Sequence, residues 1–297
     1  MNGTNRYFDL IDQTFYFPQE GFDIDADGYL VFNGVPLMYL IEKYGTPLKL
    51  TYLPKIGAQI KKARNLFTRA MKSLNYNGKY QYCYCTKSNH FSYILEEVIK
   101  HDVQLETSSA FDIDLIRKLY KKGLIDKDIT VVCNGFKPDH YKQRIVDLIH
   151  DGFENVIPVC DNIQEIEYYE QHLQGVCKIG IRVATEEEPN FEFYTSRLGI
   201  RNSDVLPFFN EKIKNNPKFK LTLLHFFVDT GIKDSLYYWG ELRKAVRLYA
   251  QLRRESEDLG ILNIGGGMPI RNSLGFEFDY KYMIKEIVKT ILQACQK

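Results

Sequence analysis

Residues 82–89 read Tyr-Cys-Tyr-Cys-Thr-Lys-Ser-Asn. The run from Tyr82 to Thr86 is aromatic and small, the composition of a strand packed on both faces. Strand alternation sets Cys83, Cys85 and Lys87 on one side and Tyr82, Tyr84 and Thr86 on the other. The strand stops on a lysine, and Ser88-Asn89 lead into a helix. Parallel α/β barrels build their active sites at the carboxyl ends of strands. A lysine there that faced the lumen would be desolvated, and desolvation favours the neutral, nucleophilic amine. A lysine at a strand end is also a common solvated residue, so Lys87 alone decides nothing.

The chain around this stretch alternates. Short β-branched or aromatic runs recur at Tyr82–Thr86, Val103–Thr107, Ile129–Asn134, Asn155–Cys160, Lys178–Val183, Leu221–Val228 and Ile261–Ile264. Helices with readable ends separate them. Ser109-Ala-Phe-Asp112 has capping-box form with Gly123 beyond it, Asp139 is a candidate N-cap with Gly152 as the stop, and Asn162 opens a helix that Gly175 closes. A longer helix spans Ser235–Glu255, with Leu236, Leu242, Val246, Tyr249 and Leu252 predicted toward the core, and a last one spans Asp279–Gln296. Repeated βα units predict a parallel sheet. Seven strands fall one short of a (β/α)8 TIM-type barrel, so the fold expected is either an open sheet or such a barrel truncated after about seven strands.

The first 79 residues differ. Gly28–Gly34 predicts a small hairpin strand, Pro36–Tyr44 a helix, Thr46–Tyr52 a strand and Leu53–Ser73 a helix. The 297 residues are 44% hydrophobic with formal charge +1, which gives no electrostatic reason for a nucleic-acid or anionic-membrane partner. The acidic N-terminus has no apolar signal region, and no apolar run approaches the ~20 residues of a membrane helix. Six cysteines without regular spacing imply reduced thiols and a cytoplasmic setting. Cys83 and Cys85 have no second Cys/His pair nearby in sequence, so no metal is assigned; small packed side chains is the reading preferred.

Three further stretches bear on chemistry. Gly265-Gly266-Gly267 follows a strand and exposes consecutive N–H groups to a phosphate, where a plain tight turn seldom needs three glycines. Arg182 lies inside an otherwise apolar strand and must be paired, either in a structural salt bridge or to a phenolate, phosphate or carboxylate. His225, Phe227 and Asp229 share a strand face, where a lone histidine is usually a satisfied core group. A strand-end lysine, a buried arginine, a late glycine loop and an aromatic strand end on one βα scaffold fit pyridoxal 5'-phosphate (PLP), held by the lysine with its phosphate on the glycines.

With those residues in place, the chain resembles the alanine-racemase-like barrel class of PLP enzymes, and within it the basic amino-acid decarboxylases, biosynthetic arginine decarboxylases above all. The resemblance covers roughly residues 45–290. Tyr84-Cys-Thr-Lys87-Ser-Asn89 is similar to the family's Y-x-x-K-x-N, whose lysine holds PLP. Leu105-Glu106-Thr-Ser-Ser109 is similar to L-E-x-x-S, whose acid and serine lie near the cofactor. Cys133-Asn134-Gly135-Phe-Lys137 resembles C-N-G-Y-K, and Gly180-Ile-Arg182 resembles the G-I-R whose arginine approaches the cofactor ring. Ser196-Arg-Leu-Gly199 is similar to S-K-F-G, and Ile264–Gly267 to the phosphate-binding V-G-G-G. The resemblance implies Lys87 as the catalytic residue. It implies Glu106, Ser109, Arg182, Phe227, Thr230, Gly265, Gly266 and Gly267, with Lys87, as the cofactor-binding set.

Departures sharpen the expectation. Phe227 stands where the family has a ring-stacking histidine, and Asp229-Thr230 replace Gly-Ser. Phenylalanine can stack but neither donates a hydrogen bond nor carries charge, and Asp229 brings negative charge toward the expected phosphate. The eighth-strand acid that pairs with the pyridine nitrogen, and the companion C-terminal β domain that supplies a cysteine to the partner subunit, have no counterpart in these residues. The expectation is therefore an N-terminal fragment, with little turnover by itself. Residues 1–45 would be a lead-in partly belonging to the missing β domain, and 46–297 the incomplete barrel. The implied reaction is decarboxylation of a basic amino acid, arginine to agmatine in polyamine biosynthesis, in a homodimeric full-length enzyme. Diaminopimelate, ornithine or carboxynorspermidine are the alternative substrates. A PLP-binding barrel without catalysis, or a regulatory paralogue, is the alternative of another class.

Overall fold

In a computed structural model, residues 21–185, 198–228, 235–269 and 278–295 are described. They form two compact units. Described residues up to Tyr52, with Met268, Pro269, Phe278 and Asp279, make one; Leu53–Gly267 and the described residues from Tyr280 onward make the other. The break falls at Tyr52.

The smaller unit holds strands β1 (Phe22–Ile24), β2 (Leu30–Phe32) and β3 (Val35–Pro36), a three-stranded antiparallel sheet, followed by helix α1 (Leu37–Tyr44). Asn33 and Gly34, both at positive φ, form the two-residue turn between β2 and β3, the left-handed pair a tight hairpin favours. The predicted strand Thr46–Tyr52 is irregular instead. Pro47 has no N–H to offer a ladder, and no strand pairs with the segment among the described residues.

The larger unit begins with α2 (Pro54–Ser73) and then alternates: β4 (Cys83–Cys85), α3 (Ser92–Ile99), β5 (Gln104–Thr107), α4 (Ala110–Lys121), β6 (Thr130–Cys133), α5 (Asp139–His150), β7 (Asn155–Cys160), α6 (Glu165–His172), β8 (Cys177–Val183), α7 (Asn202–Phe208), β9 (Phe219–Phe226), α8 (Ser235–Glu255), β10 (Ile261–Asn263) and α9 (Tyr280–Cys295). All seven predicted strands are present. They form one sheet in the order β10-β9-β8-β7-β6-β5-β4, with every pairing parallel.

The sheet curls. Val132, Ile157, Val159 and Leu223 form a buried cluster inside it, and Cys83 from one edge strand and Ile261 from the other pack on that same cluster. Each such buried aliphatic contributes roughly 1.5–3 kcal/mol. On the outer face Tyr82 and Tyr84 pack with Ile60, Ile94, Val98 and Val103 beneath α2 and α3. The alternation read from Tyr82–Cys85 is thus realised: cysteine inward, tyrosine outward. The architecture is a (β/α)8-type barrel truncated at seven strands among the described residues.

Gly180 shows how close the lumen packing is. A Cβ there would stand 3.0 Å from a Leu223 methyl and 3.1 Å from a Val159 methyl. Two helix details differ from expectation. Pro138, not Asp139, is the residue before α5, so Asp139 is its first helical residue. In α8, Leu242, Val246 and Leu252 are buried, but Leu236 is 82% exposed and Tyr238 takes the core position instead. Leu236 lies six residues before Leu242, well off the helical stripe, whereas Tyr238 lies four before it.

Candidate active site

The strand of the opening stretch ends at Cys85, and Thr86–Ser88 form a 3-10 turn. Two side-chain bonds make the turn. Thr86 Oγ1 donates to the Glu106 carbonyl at 3.1 Å, and Ser88 Oγ donates to the Cys85 carbonyl at 2.5 Å. Thr86 is consequently buried and Lys87 exposed. Strand alternation does not carry through to Lys87, which stands on the turn rather than on the face of Cys83 and Cys85. The pleat ends two residues before Lys87, and the turn lifts its side chain above the packed core. Its Nζ lies 5.8 Å from the centroid of the Phe227 ring, within reach of a cation–π contact. No hydrogen bond or ion pair engages this amine among the described residues.

Glu106 is the hub below. One carboxylate oxygen accepts from Asn134 Nδ2 at 3.2 Å and from Cys85 Sγ at 3.4 Å; the other accepts from Asn263 Nδ2 at 3.1 Å. Burial pushes the Cys85 thiol up to about 12, so it remains a protonated donor to Glu106. These bonds join the ends of β4, β5, β6 and β10 across the mouth. His225, 2% exposed, sits in register with Arg182 on one side and Asn263 on the other. Its Nδ1 is 3.2 Å from the Asn263 carbonyl, which only accepts, so Nδ1 carries the proton. Burial, opposed by Glu106 and aided by Arg182, pushes His225 down to about 4 and keeps it neutral.

Arg182 pairs as its apolar strand requires, but loosely: its nearest counter-ion among the described residues is Asp161, at 3.8 Å. Both Asp161 carboxylate oxygens are buried without a hydrogen-bond partner among the described residues. Burial raises the Asp161 pKa, and the charges of Lys137 and Arg182 pull it back. Beside it lies a closed ion pair. Lys137 Nζ donates to Gly135 O at 2.9 Å, Val159 O at 2.5 Å and Glu165 Oε2 at 2.9 Å, with both side chains 3% exposed or less.

The glycine loop follows β10. Gly265 and Gly267 have φ of 68° and 84°, and a Cβ on Gly265 would stand 2.7 Å from the Phe227 ring. Both conditions demand glycine. The Gly265 N–H donates to Asn263 Oδ1 at 2.9 Å. Of the three predicted phosphate donors, Gly265 therefore supplies shape, and the N–H groups of Gly266 and Gly267 are the ones left over among the described residues.

Lys87, Glu106, Arg182, Phe227 and the glycines all stand at the carboxyl ends of the strands. Ser109 caps α4, its Oγ accepting from the Asp112 N–H at 3.3 Å. Thr230, Asp229 and Ser196 lie outside the described residues. Sequence reasoning passed over Asp161, Glu165 and Asn263. Asp161 and Asn263 were signalled only by position, at or just beyond the end of a strand, and Glu165 only by its place at the start of α6.

The sequence model for "Pyridoxal-dependent decarboxylase, pyridoxal binding domain" matches residues 57–297. A biosynthetic arginine decarboxylase of Prochlorococcus marinus is 23% identical over 89% of this chain and 44% of its own length. The chain thus spans a little under half of that relative. Among solved structures, biosynthetic arginine decarboxylase of Campylobacter jejuni superposes with a TM-score of 0.72 at 17% identity, covering 94% of this chain and 49% of that one. Diaminopimelate decarboxylase of M. jannaschii in complex with L-lysine gives 0.74 at 19% identity, over 94% and 64%. Lysine decarboxylase of Selenomonas ruminantium gives 0.69 at 17%, over 94% and 65%. At these identities the structures share the fold, and the matched domain carries the family: the chain belongs to the pyridoxal-dependent decarboxylases.

Proposed function

We propose that this chain forms the pyridoxal-binding part of a decarboxylase for a basic amino acid, with arginine the first substrate to test. The observation that carries the reading is the Lys87 amine, unengaged among the described residues, 5.8 Å from the Phe227 ring at the mouth of the barrel. The residues suit the cofactor: a free primary amine for its aldehyde, an aromatic face for its ring, and two spare loop N–H groups for its phosphate. When bound, PLP supplies the electron sink that lets the bond between Cα and the carboxylate break.

Within this reading Lys87 would hold the cofactor through its amine and would be the base placed to move a proton at the substrate Cα. Phe227 fixes the ring plane without offering charge or a hydrogen bond. Gly266 and Gly267 hold the phosphate, with Thr230 as a further donor and Ser109 nearby. Arg182 supplies positive charge beside the ring, and its loose tie to Asp161 leaves guanidinium donors for an anionic group. Glu106, fixed by its three donors, places negative charge at the same end of the barrel. Substrate selection, a cytoplasmic setting and assembly as a homodimer belong to the full-length protein in this proposal.

The test is product identity. Full-length protein incubated with PLP and arginine should release CO2 and agmatine. Release of lysine from diaminopimelate, or cadaverine from lysine, with arginine untouched, would move the substrate assignment. A second reading rests on Phe227, which removes a titratable partner from the ring: a pyridoxal-binding barrel without turnover. Tight PLP binding with no amine product from any of these substrates would select it.

A further inference from the structure

Asn263 makes three hydrogen bonds at the mouth of the barrel. Its Oδ1 accepts the Gly265 N–H at 2.9 Å, its Nδ2 donates to Glu106 Oε2 at 3.1 Å, and its carbonyl faces His225 Nδ1 at 3.2 Å. The amide orientation is chemically forced, because an N–H needs the oxygen and a carboxylate needs the NH2. Asn134 has the same form on the other side of Glu106: Nδ2 donates to Glu106 Oε1 at 3.2 Å, and Oδ1 accepts the Gly135 N–H at 2.9 Å. Two asparagines thus brace one carboxylate, and each caps the backbone of a glycine. Only Asn263 caps the loop of three glycines.

We propose that Asn263 is a positioning residue for phosphate recognition: its amide ties the glycine loop to the anchored Glu106 carboxylate and so aims the N–H groups of Gly266 and Gly267. The proposal rests on the pyridoxal reading of the site. By holding Gly265 turned at φ 68° against the Phe227 ring, Asn263 fixes the two residues that follow. Without the strut the loop regains backbone freedom, and ordering it must be repeated on each binding event.

The readout is selectivity for PLP over pyridoxal, which has the same aldehyde and ring but no phosphate. Dissociation constants for both are measured on the intact protein by absorbance titration, with folding checked by circular dichroism. Asn263→Ala should lower the PLP-to-pyridoxal preference by about tenfold, the scale of one hydrogen bond serving a charged group. Asn134→Ala, which also strips a donor from Glu106 but leaves the glycine loop capped, should change the preference less than about twofold. The double variant Asn263→Asp with Glu106→Gln reverses donor and acceptor while keeping every bond, and should restore the preference to within about threefold of the parent.

An unchanged preference in folded Asn263→Ala overturns the proposal, as does an equal drop in Asn134→Ala. If Asn263→Ala fails to fold, the double variant decides: a retained preference supports the strut and a lost one overturns it. A parent protein that is folded but binds neither compound overturns the pyridoxal reading itself, a result distinct from binding both without preference.

Discussion

Lys87 and Lys137 both follow the carboxyl end of a parallel strand in the same curled sheet, and their surroundings are opposite. Lys137 is buried, and each of its three N–H donors has an acceptor: two backbone carbonyls and Glu165. Lys87 is exposed, has no hydrogen bond among the described residues, and looks onto an aromatic ring. A lysine whose three donors are all committed inside the protein is tied in place and is not presented to a ligand. An amine without such partners, at the mouth of the barrel, is placed to meet a carbonyl group of a ligand. The sequence shows two lysines after two strands; their hydrogen bonds set a committed structural side chain, Lys137, apart from the amine proposed as the nucleophile, Lys87.

Exchanging their fates is the strongest way to break this division. Lys87→Ala should abolish covalent attachment of PLP completely, read as loss of borohydride-fixed pyridoxyl label. Its stability should move by no more than ~0.5 kcal/mol in urea titration, as for an exposed residue outside the core. Lys137→Met should do the reverse. Leaving Glu165 charged and buried without its partner costs about 3–5 kcal/mol, and Lys137→Met with Glu165→Leu should recover part of that loss. If Lys137→Met unfolds in urea like the parent, the ion pair is not structural.

A finer test uses pH. His225 protonates near 6.5 in an unfolded chain but is pushed down to about 4 in the fold. Between those values the unfolded state binds more protons, so this group's contribution is lost as pH falls from about 6.5 toward 4. Asp161 and Glu165, whose pKa values burial raises, act in the opposite sense, because the folded state takes up their protons first. The total acid response is therefore a difference, and the His225 share must be isolated. His225→Gln keeps a donor for the Asn263 carbonyl and removes the titration. Relative to the parent it should gain up to about 3 kcal/mol between pH 7 and 4, an order-of-magnitude figure from the pKa difference. Parallel stability curves for the two proteins would show that His225 does not titrate as described.

The same contrast explains what was legible in the sequence. Strands packed on both faces announce themselves by composition, and all seven were placed within two residues at each end. The Ser109 cap follows from local chemistry that needs no tertiary partner. Lys87, Arg182 and the glycines were found because each is anomalous in its own segment. What sequence missed lies in non-local pairing. Asn263 lies 157 residues from Glu106 and nothing near it hints at the bond. Asp161 and Glu165 look like ordinary residues at the start of a helix until Lys137 arrives from β6. The alternation that placed Lys87 with Cys83 and Cys85 does not hold because it was carried two residues past the point where Thr86 and Ser88 turn the chain.

Lys87, not Lys137, is proposed as the amine that holds the cofactor. The direct measurement is borohydride reduction of the purified protein with PLP, followed by proteolysis and mass mapping of pyridoxyl-lysine. The account predicts one label, on the peptide containing Lys87, with Lys137 unmodified. A folded protein labelled at Lys137, or not labelled at all, would contradict it.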